Sequence, residues 1–362
     1  MKKRWFKILN WLLFAGSGVL LVWWSVSGFT AADRDNILNA LKNANYFWIF
    51  LSVILAALSH LSRAMRWQML LAPVGTPPSL PNSFMAVMVG YLGNLALPRL
   101  GEFVRSAILS RYSDVKPERA VGTELTERAI DMVCLLIATM IMLLTQFSIL
   151  SAYFNEKIAI PLRQKYATML SGNQLTTNLL LLGGIALFGL LSWWLLRQFR
   201  QTAFYERITQ TVIGLWHGII SIRKLNNVPL FIAHSVFIWT MYFMMVYVCF
   251  FATEATQHLG LGASMAVLVF GSLGFIATQG GIGAYQLAVT GVLTLYDIPR
   301  DLGYAFSWLA WSAQTFLVLV GGLASLTLFP ILNNKRSNAS ENPLDDLDDL
   351  VENAEAELIK EE

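Results

Sequence analysis

Charge is scarce in this chain and is concentrated where chemistry is possible. One stretch reads Asn94-Leu-Ala-Leu-Pro98-Arg99-Leu100-Gly101-Glu102-Phe103-Val104-Arg105, and a second carries Glu124, Glu127, Arg128 and Asp131 at positions i, i+3, i+4 and i+7. Pro98 and Gly101 end one helix and permit a tight turn; on the helix that follows, Glu102 and Arg105 share a face. Two readings fit these residues. Arg66, Arg99 and Arg105 can offer guanidinium forks to a phosphate, which arginine holds bidentately, while the carboxylates set their orientation. Alternatively, Glu127, Arg128 and Asp131 satisfy one another as a salt-bridge knot that orients the hairpin and the helix. In either case the stripe faces inward, because one such group at the centre of a membrane helix costs roughly 2.5–3.5 kcal/mol.

The second constellation is uncharged. From Ala255 to Tyr296 there is no Asp, Glu, Lys or Arg, and the centre reads Gly-Phe-Ile-Ala-Thr-Gln-Gly280-Gly281-Ile-Gly283-Ala-Tyr-Gln286. Unwound backbone at membrane depth has to be buried in protein or line a wet cavity, and such breaks mark substrate sites in transporters. Gly280, Gly281, Gly283 and Gln286, with Asn94 and Glu102, therefore join Arg66, Arg99 and Arg105 as candidate headgroup-binding residues. Glu124, Glu127, Arg128 and Asp131 are candidates for orienting charges.

Other chemistries find little support. His60, His217, His234 and His258 have no ligand-like spacing, Cys134 and Cys249 stand alone, and the acidic run Asp345-Asp346-x-Asp348-Asp349 has no apolar pocket sequence around it, so no metal site is expected. No nucleotide-binding motif of the Walker type occurs, no cofactor is expected, and nucleic acid is not an expected partner.

Hydrophobic residues make up 56% of the 362 and charged residues 14%, the composition of a polytopic helical membrane protein. Charge-free windows predict full crossings near 8–27, 46–61, 130–147, 175–196, 228–252 and 303–329. The segments 84–97 and 263–296 are irregular. Fourteen helical residues rise only about 21 Å, short of the roughly 30 Å hydrocarbon core. Treating both irregular segments as re-entrant hairpins puts eighteen Lys and Arg on the side of the N-terminus and six opposite, as the positive-inside rule requires. The expected fold is all-α, with about six transmembrane helices and two re-entrant hairpins, eight or so hydrophobic segments in all. The halves, about 1–147 and 175–330, form an inverted repeat echoed by Gly93-Asn-Leu-Ala-Leu-Pro98 and Gly274-Phe-Ile-Ala-Thr-Gln279. The basic stretch 197–227 suits a helix lying on anionic headgroups. Residues 1–336 are the membrane domain; residues 337–362, with ten acids against Lys360 alone, read as a disordered cytoplasmic tail.

Asn94…Pro98-Arg99-x-Gly101-Glu102-x-x-Arg105, then Glu127-Arg128-x-x-Asp131, then Gly280-Gly281-Ile282-Gly283, resemble in order the motifs of the lysylphosphatidylglycerol synthase transmembrane, or flippase-like, family. Arg66-Trp67 is similar too, and the resemblance covers roughly residues 5–330. It implies lipid translocation or lipid handling, with membrane lipids and a lipid-synthesising or lipid-modifying enzyme as partners. The synthases of that family carry an aminoacyltransferase domain after the membrane region; here a short acidic tail follows, so synthesis of the lysyl lipid is not expected. Where relatives have prolines before the glycines and a Glu after them, this chain has Ala277-Thr278-Gln279 and Gln286. The expected protein is a flippase-like transporter of an anionic or modified phospholipid, or of a polyprenyl-linked lipid, without an enzymatic activity of its own. It would sit in the cytoplasmic (inner) membrane with both termini cytoplasmic. A membrane transferase using Glu102, Glu127 or Asp131 as general base, or an accessory subunit, are the alternatives.

Overall fold

A computed structural model describes residue 16 and residues 18–97, 100–113, 115–161 and 225–333. The expected crossing at 175–196, the amphipathic stretch up to residue 224, the acidic tail, and Pro98 and Arg99 lie outside them, as does most of the first crossing before residue 18.

The described residues are helical throughout, without a strand. In chain order the helices are α1 (Gly18–Ser27), α2 (Ala31–Lys42), α3 (Tyr46–Leu71), α4 (Leu80–Ala96), α5 (Leu100–Arg111), α6 (Pro117–Thr145) and α7 (Phe147–Phe154). A π-turn (Asn155–Ala159) follows α7. After residue 224 come α8 (Val228–Phe250), α9 (Leu261–Ala277), a 3-10 turn (Gln279–Gly281), α10 (Ala284–Thr294) and α11 (Arg300–Leu332). Four of them, α3, α6, α8 and α11, are long and apolar enough to cross a membrane. Their apolar residues also point outward: Leu136 is 63% exposed, Leu144 73%, Val236 60% and Phe316 61%. Fully buried polar side chains, among them Arg66, Ser83, Ser264 and Gln286, lie inside. Water would not tolerate so much exposed apolar surface, whereas hydrocarbon does. The protein is an all-α, multi-pass membrane protein.

Two helical hairpins, α4–α5 and α9–α10, sit between these spans. Their first arms are equal in length and offset by 181 residues, from Leu80 to Leu261 and from Ala96 to Ala277. The fully buried Ser83 and Ser264 obey the same offset, as do Gly93 and Gly274. Helix pairing repeats as well. As α4 packs on α5 and α5 on α6, so α9 packs on α10 and α10 on α11; α4 crosses to α11 as α9 crosses to α6. The most extensive contact joins the counterparts α3 and α8, each capped at its start by an asparagine, Asn45 or Asn227. These two run antiparallel: the Asn45 amide donates to the Ala252 carbonyl at 2.8 Å at one end, and Ser62 meets His234 at 2.9 Å near the other. Antiparallel counterparts can be exchanged only by a two-fold axis lying across them.

Several helices extend beyond the charge-free windows. α3 continues ten residues past residue 61, through Arg63 and Arg66, and α6 begins thirteen residues before residue 130. Charge was read there as the end of a span, yet a charged residue can stay in a helix when its partner lies on a neighbouring one. The described residues form two apolar cores, each drawn mainly from one half and completed by the other, with Phe231 and Phe329 entering the first and Ala138 and Met142 the second. Trp67, Met85, Val87, Leu109, Ile130 and Phe329 build one; Phe250, Val267, Tyr285, Val289 and Phe306 belong to the other.

Glycines set the hairpin spacing. A Cβ on Gly101 would overlap the Gly90 carbonyl and the Asn94 side chain, so the arms of the first hairpin meet only because both positions are bare. Gly101→Ala should lower the unfolding temperature in detergent, because overpacking a tight contact costs about 1–3 kcal/mol. Gly122→Ala, where a Cβ meets nothing within 4 Å, should leave it unchanged or raise it. Equal effects from the two substitutions would refute this close approach.

Candidate functional site

Three arginines and three carboxylates meet where α3, α5 and α6 converge. Arg63 and Arg66 stand one turn apart on α3, Arg105 on α5, and Glu124, Glu127 and Asp131 along one face of α6, so formal charges cancel within the group. Arg63 Nη1 lies 2.5 Å from Glu127 Oε1 and 2.6 Å from Asp131 Oδ2, and its Nη2 donates to the Tyr242 hydroxyl at 3.0 Å. Arg66 donates to Asp131 Oδ1 at 2.8 Å and to Ser235 Oγ at 3.1 Å, which ties α8 into the same network. Arg105 Nη2 donates to Glu127 Oε2 at 3.1 Å, while Ser106 Oγ donates to Glu124 Oε1 at 2.7 Å. The guanidinium of Arg105 also lies over the Trp67 ring at 3.7 Å, and the Trp67 indole N–H donates to Thr123 at 2.9 Å. Arg63, Arg66, Arg105, Glu124 and Glu127 are all buried.

Arg128 is a correction to the expected knot. It does not bridge Glu127 and Asp131; its side chain is 51% exposed, and its Nε pairs with Glu102 Oε1 at 3.3 Å. Spacing allows Arg128 to face Asp131 three residues on, but in the structure its side chain turns to Glu102 on α5. The counter-charges of Glu127 and Asp131 come instead from α3 and α5. Arg63, Tyr242, Ser235 and Trp67 were absent from the expected site. A sequence signal for Arg63 did exist, since Arg63 and Arg66 sit at i and i+3 beside an apolar window.

The remaining candidates shape the two hairpin tips. Asn94 Oδ1 accepts from the Gly101 amide at 3.0 Å, bracing the first turn. In the second, Gly280, Gly281 and Gly283 have φ of 60°, 75° and 81°, values that L side chains rarely adopt. Gln286 Oε1 accepts from the Gly283 amide at 2.7 Å and so caps α10; its Nε2 is buried without a partner. The tips touch each other. Gln279 Nε2 donates to the Leu95 carbonyl at 3.1 Å and to the Ala96 carbonyl, and the Trp311 indole donates to the Gly280 carbonyl at 2.7 Å.

Beside Arg105 a polar crevice of about 10 Å³ is lined by Asn94, Glu102, Glu124 and Arg128, room for about one water molecule and not for a headgroup. Arg63 Nε and Arg66 Nε are buried without a hydrogen-bond partner, and Arg105 Nε, also without one, lies 3.9 Å from Glu124 Oε1. The arrangement can therefore hold charge inside a membrane and has donors to spare for an anion, but in this conformation it is closed.

The family described as the lysylphosphatidylglycerol synthase TM region matches residues 8–322, and the chain belongs to that family. It is also similar to a UPF0104 membrane protein of Methanocaldococcus jannaschii, 28% identical over 109 residues. That match spans 29% of this chain and 32% of the relative's length. No solved structure matches.

The network predicts unequal arginines. Arg63→Ala leaves Glu127 and Asp131 short of a buried counter-charge and should cost about 3–5 kcal/mol, read as a large fall in unfolding temperature and in folded yield. Arg128→Ala should change stability by no more than about 0.5 kcal/mol, as a substitution away from the buried network does. A larger loss at Arg128 than at Arg63 would overturn the assignment of partners.

Proposed function

We propose that this member of the lysylphosphatidylglycerol synthase TM region family translocates or otherwise handles an anionic or modified phospholipid, or a polyprenyl-linked lipid, in the cytoplasmic membrane. The observation that carries the reading is the meeting of the hairpin tips, Gln279 on the carbonyls of Leu95 and Ala96, between two halves built on one repeated plan. In membrane transporters, substrate sites lie at such repeat interfaces, beside broken helices, and one half moves against the other. On this reading both hairpins are re-entrant and the two-fold axis lies in the membrane plane.

The arginine network supplies the chemistry. Arg105 is held by Glu127 in the closed form; a headgroup phosphate, which arginine favours as a bidentate partner, would take the place of that carboxylate when the first hairpin moves. The energy source would be an ion gradient, the lipid gradient or a partner such as a lipid-synthesising enzyme.

Orientation follows from charge. Arg63, Arg66 and Arg105 are neutralised inside the bundle; with both hairpins re-entrant, the sequence assigns most of the other Lys and Arg to the side of the N-terminus, and the positive-inside rule would make that side cytoplasmic. With Cys134 and Cys249 replaced by alanine, a cysteine at Asn226 should label from the cytoplasm and one at Asn43 from the opposite side. Labelling of both from one side would discard the arrangement.

Activity is read in vesicles of phosphatidylcholine containing a fluorescent phosphatidylglycerol, with a membrane-impermeant reductant reporting the lipid that reaches the outer leaflet. The intact protein should accelerate exchange over protein-free vesicles, and Arg105→Ala that remains folded should not. If no lipid of the anionic, modified or polyprenyl-linked classes is exchanged faster than in protein-free vesicles, translocation is excluded.

A further inference from the structure

A groove of about 380 Å³ lies on the outer face of the α3–α8 pair. Its walls are two matched helical stripes, Leu58, Leu61, Ser62 and Met65 facing Leu230, Ala233, His234 and Phe237. In each helix these occupy positions i, i+3, i+4 and i+7, a single face. Leu58, Leu230 and Phe237 are exposed, so the groove opens to whatever surrounds the spans. The polar exceptions in this apolar lining, Ser62 and His234, bond to each other through Oγ and Nδ1 at 2.9 Å. When Ser62 donates to Nδ1, the imidazole hydrogen resides on Nε2, which has no partner among the described residues.

We infer that this groove holds one acyl chain of a glycerophospholipid, with His234 Nε2 donating to that chain's ester carbonyl. Depth fits an amphiphile. Ser62 lies nine residues before the end of α3 and His234 six residues after the start of α8, roughly 9–14 Å from those ends at 1.5 Å per residue. The headgroup layer is about 5–8 Å thick on each side, so the pair sits close to the boundary where the glycerol esters lie, with apolar wall continuing deeper. A packed helix is the poorer occupant: helix pairs in membranes use small residues for close approach, whereas in this lining Ser62 and Ala233 are small and the other six are Leu, Met, Phe and His. Met65 and the leucines can instead adapt to a flexible chain. The floor also adjoins the charged network, since Arg63 follows Ser62 in α3, and Ser235, which accepts from Arg66, follows His234 in α8. The inference rests on the lipid-handling reading and names where such a lipid is held.

The test is photocrosslinking in phosphatidylcholine vesicles containing the full chain and a small fraction of phosphatidylglycerol with a diazirine on one acyl chain. Adducts should concentrate on residues 58–65 and 230–237. They should fall several-fold in Ala233→Trp, which fills the groove, and in His234→Phe, which removes the donor; adducts on Leu136 and Phe316 serve as the reference for bulk lipid. An even spread over all lipid-facing residues, or groove adducts undiminished in both folded variants, would overturn the site. Groove adducts in a wild-type protein that exchanges no lipid would support the site while refuting translocation.

Discussion

Charge inside a membrane has to be cancelled locally, and this fold is arranged around that requirement. Three guanidinium groups enter the bundle on α3 and α5, and three carboxylates meet them on α6. Because Arg63 and Arg66 lie more than sixty residues before Glu127 and Asp131, satisfying them forces α3 against α6. Arg105 in turn fixes the first hairpin to Glu127 and Glu124. The extension of α3 beyond its apolar window, the inward face of α6 and the closed crevice beside Asn94 all follow from this one condition.

The two halves share a plan but not a chemistry. In the first hairpin, Gly90 and Gly93 face Arg105 and Gly101; in the second, Gly271 and Gly274 face Tyr285 and Val289. The position that delivers a cation in one half delivers an apolar or aromatic side chain in the other. Around the second tip the partners are rings and neutral donors, with Tyr304, Trp308 and Trp311 in successive edge contacts along α11. A symmetric scaffold thus carries a polar half and an aromatic half, joined where Gln279 reaches the end of α4. If one half moves against the other, the ionic half has ion pairs to exchange, and the aromatic half has a glycine-built turn, with the positive φ values of Gly280, Gly281 and Gly283, on which the tip depends.

Much of this was legible in the sequence, because local rules govern it. The helical, membrane-spanning class follows from composition, and both hairpin turns from the glycines. The repeat follows from topology, with the Gly93–Gly274 echo at the register the helices adopt. The inward face of Glu127 and Asp131 follows from spacing alone. What spacing could not supply was the identity of the partners. Arg63 and Tyr242 are brought to Glu127 and Asp131 by tertiary packing, and nothing within one helix announces it. Arg128 is instructive in the opposite sense: spacing put it on the stripe with Glu124 and Asp131, while in the structure it pairs with Glu102 of α5. Gln286 shows a third case, in which a residue singled out for ligand contact uses its carbonyl to cap α10.

The dependence of the fold on one neutral network is tested most directly by a double-mutant cycle between Arg105 and Glu127, read as unfolding free energy in detergent for Arg105→Met, Glu127→Gln and the pair. A shared buried network requires the double variant to lose less stability than the sum of the single losses, with a coupling of about 0.5–3 kcal/mol. Strictly additive losses would mean that the hairpin and α6 do not hold each other through these charges, and would contradict the central claim.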